Sequence, residues 1–300
     1  MQASSERSSP TPSARASAAI VVEGGAMRGI FSVGVLDVFL ERGFEPFDLA
    51  IGASAGACNL ASHVARQDGR NRRCYFELMT RREFIDLRRI ARGRSVVDLD
   101  WLWATLAERD PLDVAAIAKS QLKFVIAATS ARTGKPVYLS PGPDLVFEAL
   151  KGSCALPGLY RGAVCVEGEP LVDGGVSDPI PVEEAYRRGA RRMVVVRSRP
   201  ATYVKTEGWS SRLSALFVRS KPVVAAAVRR TPEHYRRAVA FLQAPPDDCL
   251  LVHVAPVVPM TTRRTTQDRR ALEHDYRHGR EMGEDAIHRW QQITTSAGDR

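Results

Sequence analysis

The chain has 300 residues, 44% of them hydrophobic and 26% charged, a globular composition that excludes a disordered or fibrous protein. Its formal charge of +9 speaks to partners, since nucleic acid, an anionic membrane surface or acidic substrates would all answer to it. Aromatic residues are only 7% and no RNP-like, KH-like or zinc-finger spacing appears, so no nucleic-acid partner is expected. Cys58, Cys74, Cys154, Cys165 and Cys249 are odd in number and lack a CxxC. That argues against a disulfide scaffold, a zinc ribbon or a thioredoxin-type site, and suits a reducing compartment, the cytoplasm. The longest apolar candidate, Val223 to Val228, is far short of the ~20 residues a membrane-spanning helix needs.

Residues 1–17 are rich in Ser, Pro and Arg with no apolar core, which predicts a disordered tail, not a secretory signal. Ala19-Ile20-Val21-Val22 reads as a buried parallel strand ending in the loop Glu23-Gly24-Gly25-Ala26-Met27-Arg28-Gly29. A helix follows from Ile30 and stops at Gly43. Asp48 to Ile51 is a second buried strand, running into Gly52-Ala53-Ser54-Ala55-Gly56 and a small-residue helix to about Arg66. This β-loop-α-β-turn-α order predicts a three-layer α/β/α sandwich with a mainly parallel sheet. Helices are predicted over 71–92, 98–108, 144–150 and 181–189, with strands at 124–128, 137–139, 164–166, 171–172 and 193–196. The Gly134 turn suggests a hairpin. Beyond Arg199 the pattern becomes mostly helical, at 209–220, 232–243 and 268–290, with one late strand at 250–254. We therefore divide the chain into the tail, a main α/β domain over 18–199 and a C-terminal extension over 200–300 packed on that same domain.

Gly52-x-Ser54-x-Gly56 between strand and helix has the form of a nucleophile elbow. Its neighbours must be small because the backbone folds tightly there. The serine sits at a helix N-terminus, where N–H groups and the dipole favour negative charge. The loop 24–29 lies at the same kind of junction. Read as an oxyanion hole, it directs the N–H groups of Gly25 and Ala26, joined by Ala55, at a developing oxyanion. Read as a dinucleotide fingerprint it fits poorly, because Ala26 and Arg28 interrupt the pattern and the next strand ends in a serine elbow. Asp173-Gly174-Gly175 after an apolar pair is either a plain turn or a delivered carboxylate. A histidine-dependent triad would have His253, at a strand end, as its base. His63 points away down the helix, and His274, His278 and His288 lie in a charged helical stretch and read as solvated.

Glu-Gly-Gly-Ala-Met-Arg-Gly at 23–29, Gly-Ala-Ser-Ala-Gly at 52–56 and Asp-Gly-Gly at 173–175 together resemble the three signatures of the patatin-like phospholipases, over residues 18–190. Gly34-Val35-Leu36-Asp37 and Gly69-Arg70-Asn71-Arg72-Arg73 resemble a bacterial branch of that family. The resemblance implies a patatin-like fold and a dyad without histidine. Ser54 would be the nucleophile and Asp173 the base, and Gly24, Gly25, Ala26, Arg28 and Ala55 the oxyanion site. Gly29, Gly52, Gly56, Gly174 and Gly175 would be the motif glycines. Glu23 stands where many members have Asp, and Ala26 where many have a third glycine. The substrate implied is a phospholipid or lysophospholipid, with no metal and no cofactor. A histidine-dependent esterase or acyltransferase using His253, and a catalytically silent anionic-surface binding protein, are the alternatives.

Arg28 has two readings: pairing with a substrate phosphate, or pinning its loop through a carboxylate such as Glu23, which we favour. Residues 66–94 carry ten Arg against four acids, interleaved with Leu78, Met79, Phe84, Ile85, Leu87 and Ile90. This is the pattern of an interfacial amphipathic helix at an anionic membrane, or of an ordinary solvated helix face.

Overall fold

The structure is a computed structural model that describes residues 17–205 and 220–298; the expected tail, apart from Ser17, and the expected helix at 209–220, apart from Ser220, lie outside the described residues. Strand β1 (Ser17–Val22) sits in the middle of an eight-stranded sheet. Its neighbours are β2 (Leu49–Ala53) and β7 (Ala190–Val196), both parallel to it. β2 continues to β3 (Lys123–Ser130) and β7 to β8 (Leu250–Val254), again in parallel. Beyond β3 the sheet turns antiparallel, through β4 (Pro136–Leu139) on one part of β3 and β6 (Glu169–Val172) on the other, with β5 (Val164–Val166) at the edge.

β1 shows why this sheet reads as an unbroken apolar run. Ala18, Ile20 and Val22 face one core and Ala19 and Val21 the other, so both faces of the strand must be apolar. The first core is covered by α1 (Ile30–Glu41), α2 (Ala55–Val64), α6 (Val146–Ser153) and the C-terminal α9 (Arg269–Gly298), through Phe31, Leu36, Leu60, Leu150 and Trp290. The second is covered by α7 (Val182–Arg187) and α8 (Pro222–Gln243), through Val182, Ala185, Tyr235 and Val239. Helices thus lie on both faces of a mixed, mostly parallel sheet. β8 extends the same sheet, and α9 lies along α1, where Tyr276 Oη donates to the buried Asp37 carboxylate (2.9 Å) and Arg280 forks onto Glu41 (2.6 and 2.7 Å).

Two helix predictions change. The expected helix over 71–92 is several pieces: α3 (Arg70–Arg73), a wide turn over Cys74–Met79, a bridge between Ile85 and Val97, and a tight turn over Leu87–Arg92. Two contacts favour the break. The Gln267 side-chain amide donates to the carbonyls of Thr80, Arg81 and Ile85, and Asp86 accepts the Arg88 N–H. Phe84 and Ile85 turn inward and only Leu87 and Ile90 stay exposed, so there is no continuous amphipathic face. Conversely, α8 begins at Pro222 and runs through Pro232, not from it. Burial of Val224, Ala225, Ala227 and Val228 against Val176 outweighs the hydrogen bond that a proline removes.

A third apolar cluster stands over the carboxyl ends of β1 and β2. It is built from Met27 and Ile30, from Tyr75, Leu78, Phe84 and Ile85, from α4 (Leu99–Arg109), and from Tyr160. It roofs the region where open α/β sheets place their ligands.

Candidate active site

Ser54 occupies the turn between β2 and α2 with φ +53° and ψ −128°, a strained conformation for any side chain other than glycine. The strain is held by close packing: a Cβ on Gly56 would lie 2.4 Å from the Val22 carbonyl oxygen and 2.7 Å from that of Glu23. The start of α2 can therefore meet the end of β1 only through a glycine. The elbow is also tied to β3. Ser153 Oγ accepts the Ser54 N–H (2.8 Å) and donates to the Ala127 carbonyl (2.6 Å), fully buried.

Asp173 arrives from the other side of β3. β6 pairs with β3 up to Val172, and the chain then turns over Gly174–Val176. Its Oδ2 accepts the Ser54 hydroxyl at 2.6 Å, and its Oδ1 accepts the Gly175 N–H at 2.8 Å. The main chain is fixed as well: its N–H donates to the Ala155 carbonyl (3.1 Å), and its carbonyl accepts the Thr129 hydroxyl (2.8 Å). Burial raises the Asp173 carboxyl above its ordinary 3.8, against the lowering effects of the Ser54 and Gly175 hydrogen bonds and the charges of Arg264 and Lys205. A carboxylate held this way is a better base than one in water.

The Gly-rich loop continues from the end of β1 and lies directly beside the elbow: a Cβ on Gly24 would stand 3.1 Å from that of Ser54. Ala26 takes φ +49°, so the residue in the third glycine's place adopts the left-handed conformation at a strain cost. Not all five predicted oxyanion residues offer a donor. The Gly24 N–H is directed to the Pro179 carbonyl (3.3 Å) and the Arg28 N–H to the Gly25 carbonyl (3.1 Å). Gly25 and Ala26 have no described backbone acceptor, and Ala55 opens α2, where N–H groups are free. Asn59 on α2 and Tyr75 brace the loop by donating to the carbonyls of Gly29 (3.0 Å) and Ala26 (3.3 Å).

The expected pairing of Arg28 with Glu23 is not made. The Glu23 carboxylate accepts the Ser198 N–H (2.7 Å) and lies 3.9 Å from Nε of the wholly buried Arg197. Arg28 forms no ion pair among the described residues; burial foremost, then Arg199 and Arg264, lower it to about 10.

These groups meet in one cavity of about 460 Å³. Leu102, Leu106, Leu112, Leu150 and Leu156 contribute to an apolar wall, while Arg28, Arg199, Lys205 and Arg264 line it with positive charge. His253 is not part of it. Its ring stands on the edge strand β8, its Nε2 is buried without a hydrogen-bond partner among the described residues, and burial pushes it down to about 4. The nine-residue interval did place His63 away from Ser54: it is a buried packing residue, lowered to about 4 by burial. His278, expected in solvent, is buried, with Nε2 accepting the Val257 N–H (3.1 Å). Among the described residues no three or more His, Cys, Asp or Glu side chains gather as a metal site, and no helix is long and apolar enough to cross a membrane.

Ser153, Asn59 and Tyr75 carry no sequence signal of this kind, because their partners are main-chain groups brought near only by folding. Ser153→Ala leaves a buried N–H and a buried carbonyl unpaired, which costs about 1–3 kcal/mol. We expect a chemical melt to register that loss, and kcat for a model ester to fall more than KM changes, since the elbow loses its anchor to β3.

A family model described as patatin-like phospholipase matches residues 20–186, and one described as a domain of unknown function (DUF6363) matches 221–294. The chain is 37% identical over 270 residues to the uncharacterized protein YjjU of Escherichia coli K12, covering 88% of this chain and 75% of that protein. An uncharacterized NTE family protein of Mycobacterium tuberculosis H37Rv, Rv1063c, is 28% identical over 171 residues, covering 55% of this chain and 44% of its own. Among solved structures, VipD from Legionella pneumophila is similar at 14% identity and a TM-score of 0.44, over 92% of this chain and 67% of that one. With a family model over more than half its length and a relative aligned along most of both proteins, the chain belongs to the patatin-like phospholipase family, a family of lipid ester hydrolases.

Proposed function

We propose that the protein is a serine hydrolase that cleaves carboxylic esters of phospholipids or lysophospholipids through a Ser54–Asp173 dyad. The observation that carries this reading is the 2.6 Å hydrogen bond from the Ser54 hydroxyl to a buried carboxylate in a cavity with an apolar wall. Asp173 takes the serine proton as Oγ attacks the ester carbonyl. The N–H groups of Gly25, Ala26 and Ala55 stabilise the oxyanion, aided by the α2 N-terminus. Collapse of the intermediate breaks the bond to the alcohol, which leaves with the proton from Asp173. Water then attacks the acyl-enzyme and gives up a proton to Asp173, which passes it to Ser54 Oγ as the ester bond to the serine breaks, so the fatty acid leaves and both residues are restored. The apolar wall suits an acyl chain, and excluding water from it strengthens every polar contact at the ester.

The setting we infer is cytoplasmic, with peripheral contact at anionic membranes. Support comes from the exposed Leu87 and Ile90 beside Arg88, Arg92 and Arg94, with Ile90 and Arg94 also lining the cavity. Short and long p-nitrophenyl esters test the reaction. Wild type should turn over, with long chains preferred; Ser54→Ala should not, and His253→Ala should stay within about threefold of wild type. Loss of activity in His253→Ala with an unchanged melt would return the triad, and no turnover of any ester by wild type would favour a silent binding protein.

A further inference from the structure

The cavity holds more positive charge than ester chemistry uses. Arg28, Arg199, Lys205 and Arg264 all line it together with Ser54 and Asp173. They come from separate stretches: the Gly-rich loop, the chain after β7, and the loop before α9, where the Arg264 carbonyl accepts the Met27 N–H at 3.5 Å. They are close enough to act on one another. Burial, then Arg199 and Arg264, depress Arg28, while burial and Arg264 bring Lys205 down to about 8. Among the described residues none of the four forms an ion pair. Two carboxylates face them, and both are committed: Glu23 to Ser198 and Arg197, and Asp173 to Ser54 and Gly175. Arg28 is only 6% exposed, and its Nε meets no acceptor. A buried guanidinium left this way is costly unless an anion joins it.

We propose that this cluster receives the phosphate of the substrate lipid, and that it selects a phosphomonoester, as in lipids of the phosphatidate or lysophosphatidate class. The proposal rests on the lipid-ester reading above. The oxyanion does not account for the cluster, because main-chain N–H groups already serve it. Arg28, Arg199, Lys205 and Arg264 outnumber the two carboxylates that line the cavity, and Glu23 already answers Arg197, so at least two positive charges stand in excess. A phosphodiester brings one negative charge and a phosphomonoester nearly two at pH 7, so the monoester is the better match. Guanidinium groups also fork onto its oxygens. A choline or ethanolamine head group would place a cation in this field. The two tyrosines beside the cluster are already covered by its own cations, Arg199 over Tyr203 (4.3 Å) and Lys205 over Tyr235 (6.0 Å). Repulsion of the wrong head group then adds to attraction of the right one.

Titration calorimetry on Ser54→Ala protein, which keeps the cations and cannot turn over, tests this with short-acyl lysophosphatidate, the matched lysophosphatidylcholine and inorganic phosphate. Lysophosphatidate should bind at least ~10-fold tighter than the choline lipid. Adding Arg264→Gln or Lys205→Gln should bring that ratio down toward one, as should Arg199→Gln if either variant melts early. A merely structural role would weaken both lipids alike and keep the ratio. Equal affinity for the two lipids, or a ratio untouched in all three variants, overturns the proposal. Inorganic phosphate binding as tightly as lysophosphatidate would assign the cluster to free phosphate and overturn it also. Head-group preference in Ser54→Ala protein alongside a wild type that hydrolyses no ester would sink the hydrolase reading alone. Turnover of p-nitrophenyl esters without head-group preference would sink this one alone.

Discussion

Asp173→Asn should lower ester hydrolysis by roughly 10²–10⁴-fold and at the same time raise the melting temperature at pH 7. The loss follows from removing the base, since Asn keeps the shape and can still accept the Gly175 N–H but takes no proton from Ser54. The gain in stability follows from the sign of the shift. Burial raises the folded-state carboxyl above its ordinary 3.8, so the ionised form is disfavoured in the fold. Asp173 therefore contributes its stability below the unfolded pKa and loses it as pH rises through the raised folded value. The melting difference between Asp173→Asn and wild type should be largest near neutrality and shrink toward pH 4. An unchanged or lowered melting temperature at pH 7 would mean that the serine hydrogen bond outweighs desolvation. Activity should show the matching acid limb, falling as Asp173 is protonated at a pH above that of an ordinary aspartate. Because the two groups act as a unit, adding Asp173→Asn to Ser54→Ala should lower the rate no further.

The parts of this site that were legible in the sequence are those whose cause is local. A strand buried on both faces has to be apolar without alternation, and Ala18 to Val22 is. A serine between close-packed elements needs small neighbours, and Gly52 to Gly56 supply them. What could not be read depends on groups distant in sequence. Nothing near Arg81 announces that Gln267 will satisfy the carbonyls of Thr80, Arg81 and Ile85, so a helical pattern is cut where no helix breaker stands. The surroundings of Arg28 are hidden for the same reason: Glu23 is near in sequence, but Arg197 and the Ser198 N–H reach it through the pairing of β7 with β1. The convergence of Arg199, Lys205 and Arg264 on the cavity is likewise a product of topology, because β7 ends beside β1 and the loop before α9 returns over residues 26–28.

Gly174→Ala should be among the most damaging small substitutions, because the glycine lies directly against the central sheet. A Cβ there would stand 2.1 Å from the Ala127 carbonyl oxygen and 2.8 Å from its carbon, and both belong to strand main chain, which cannot swing aside as a flexible side chain can. Two responses are open to the fold. If the turn over Gly174–Val176 yields, Asp173 moves with it, and a shift of about 1 Å at a reacting group is worth on the order of 10²-fold in rate. If β3 yields instead, Ala127 moves, and with it the carbonyl that Ser153 uses to hold the Ser54 N–H. Either way the Ser54–Asp173 contact is lost, so kcat should fall about 100-fold or more. Overpacking of this kind typically costs about 1–3 kcal/mol, and a urea melt should show it. Gly175→Ala serves as the comparison. Its added Cβ would meet only the Asp173 carboxylate oxygen, at 2.9 Å, the end of a side chain and not main chain. It should keep the stability of wild type within about 1 kcal/mol and lose less activity. Equal damage from the two substitutions would show that the sheet contact is not what sets the position of Asp173.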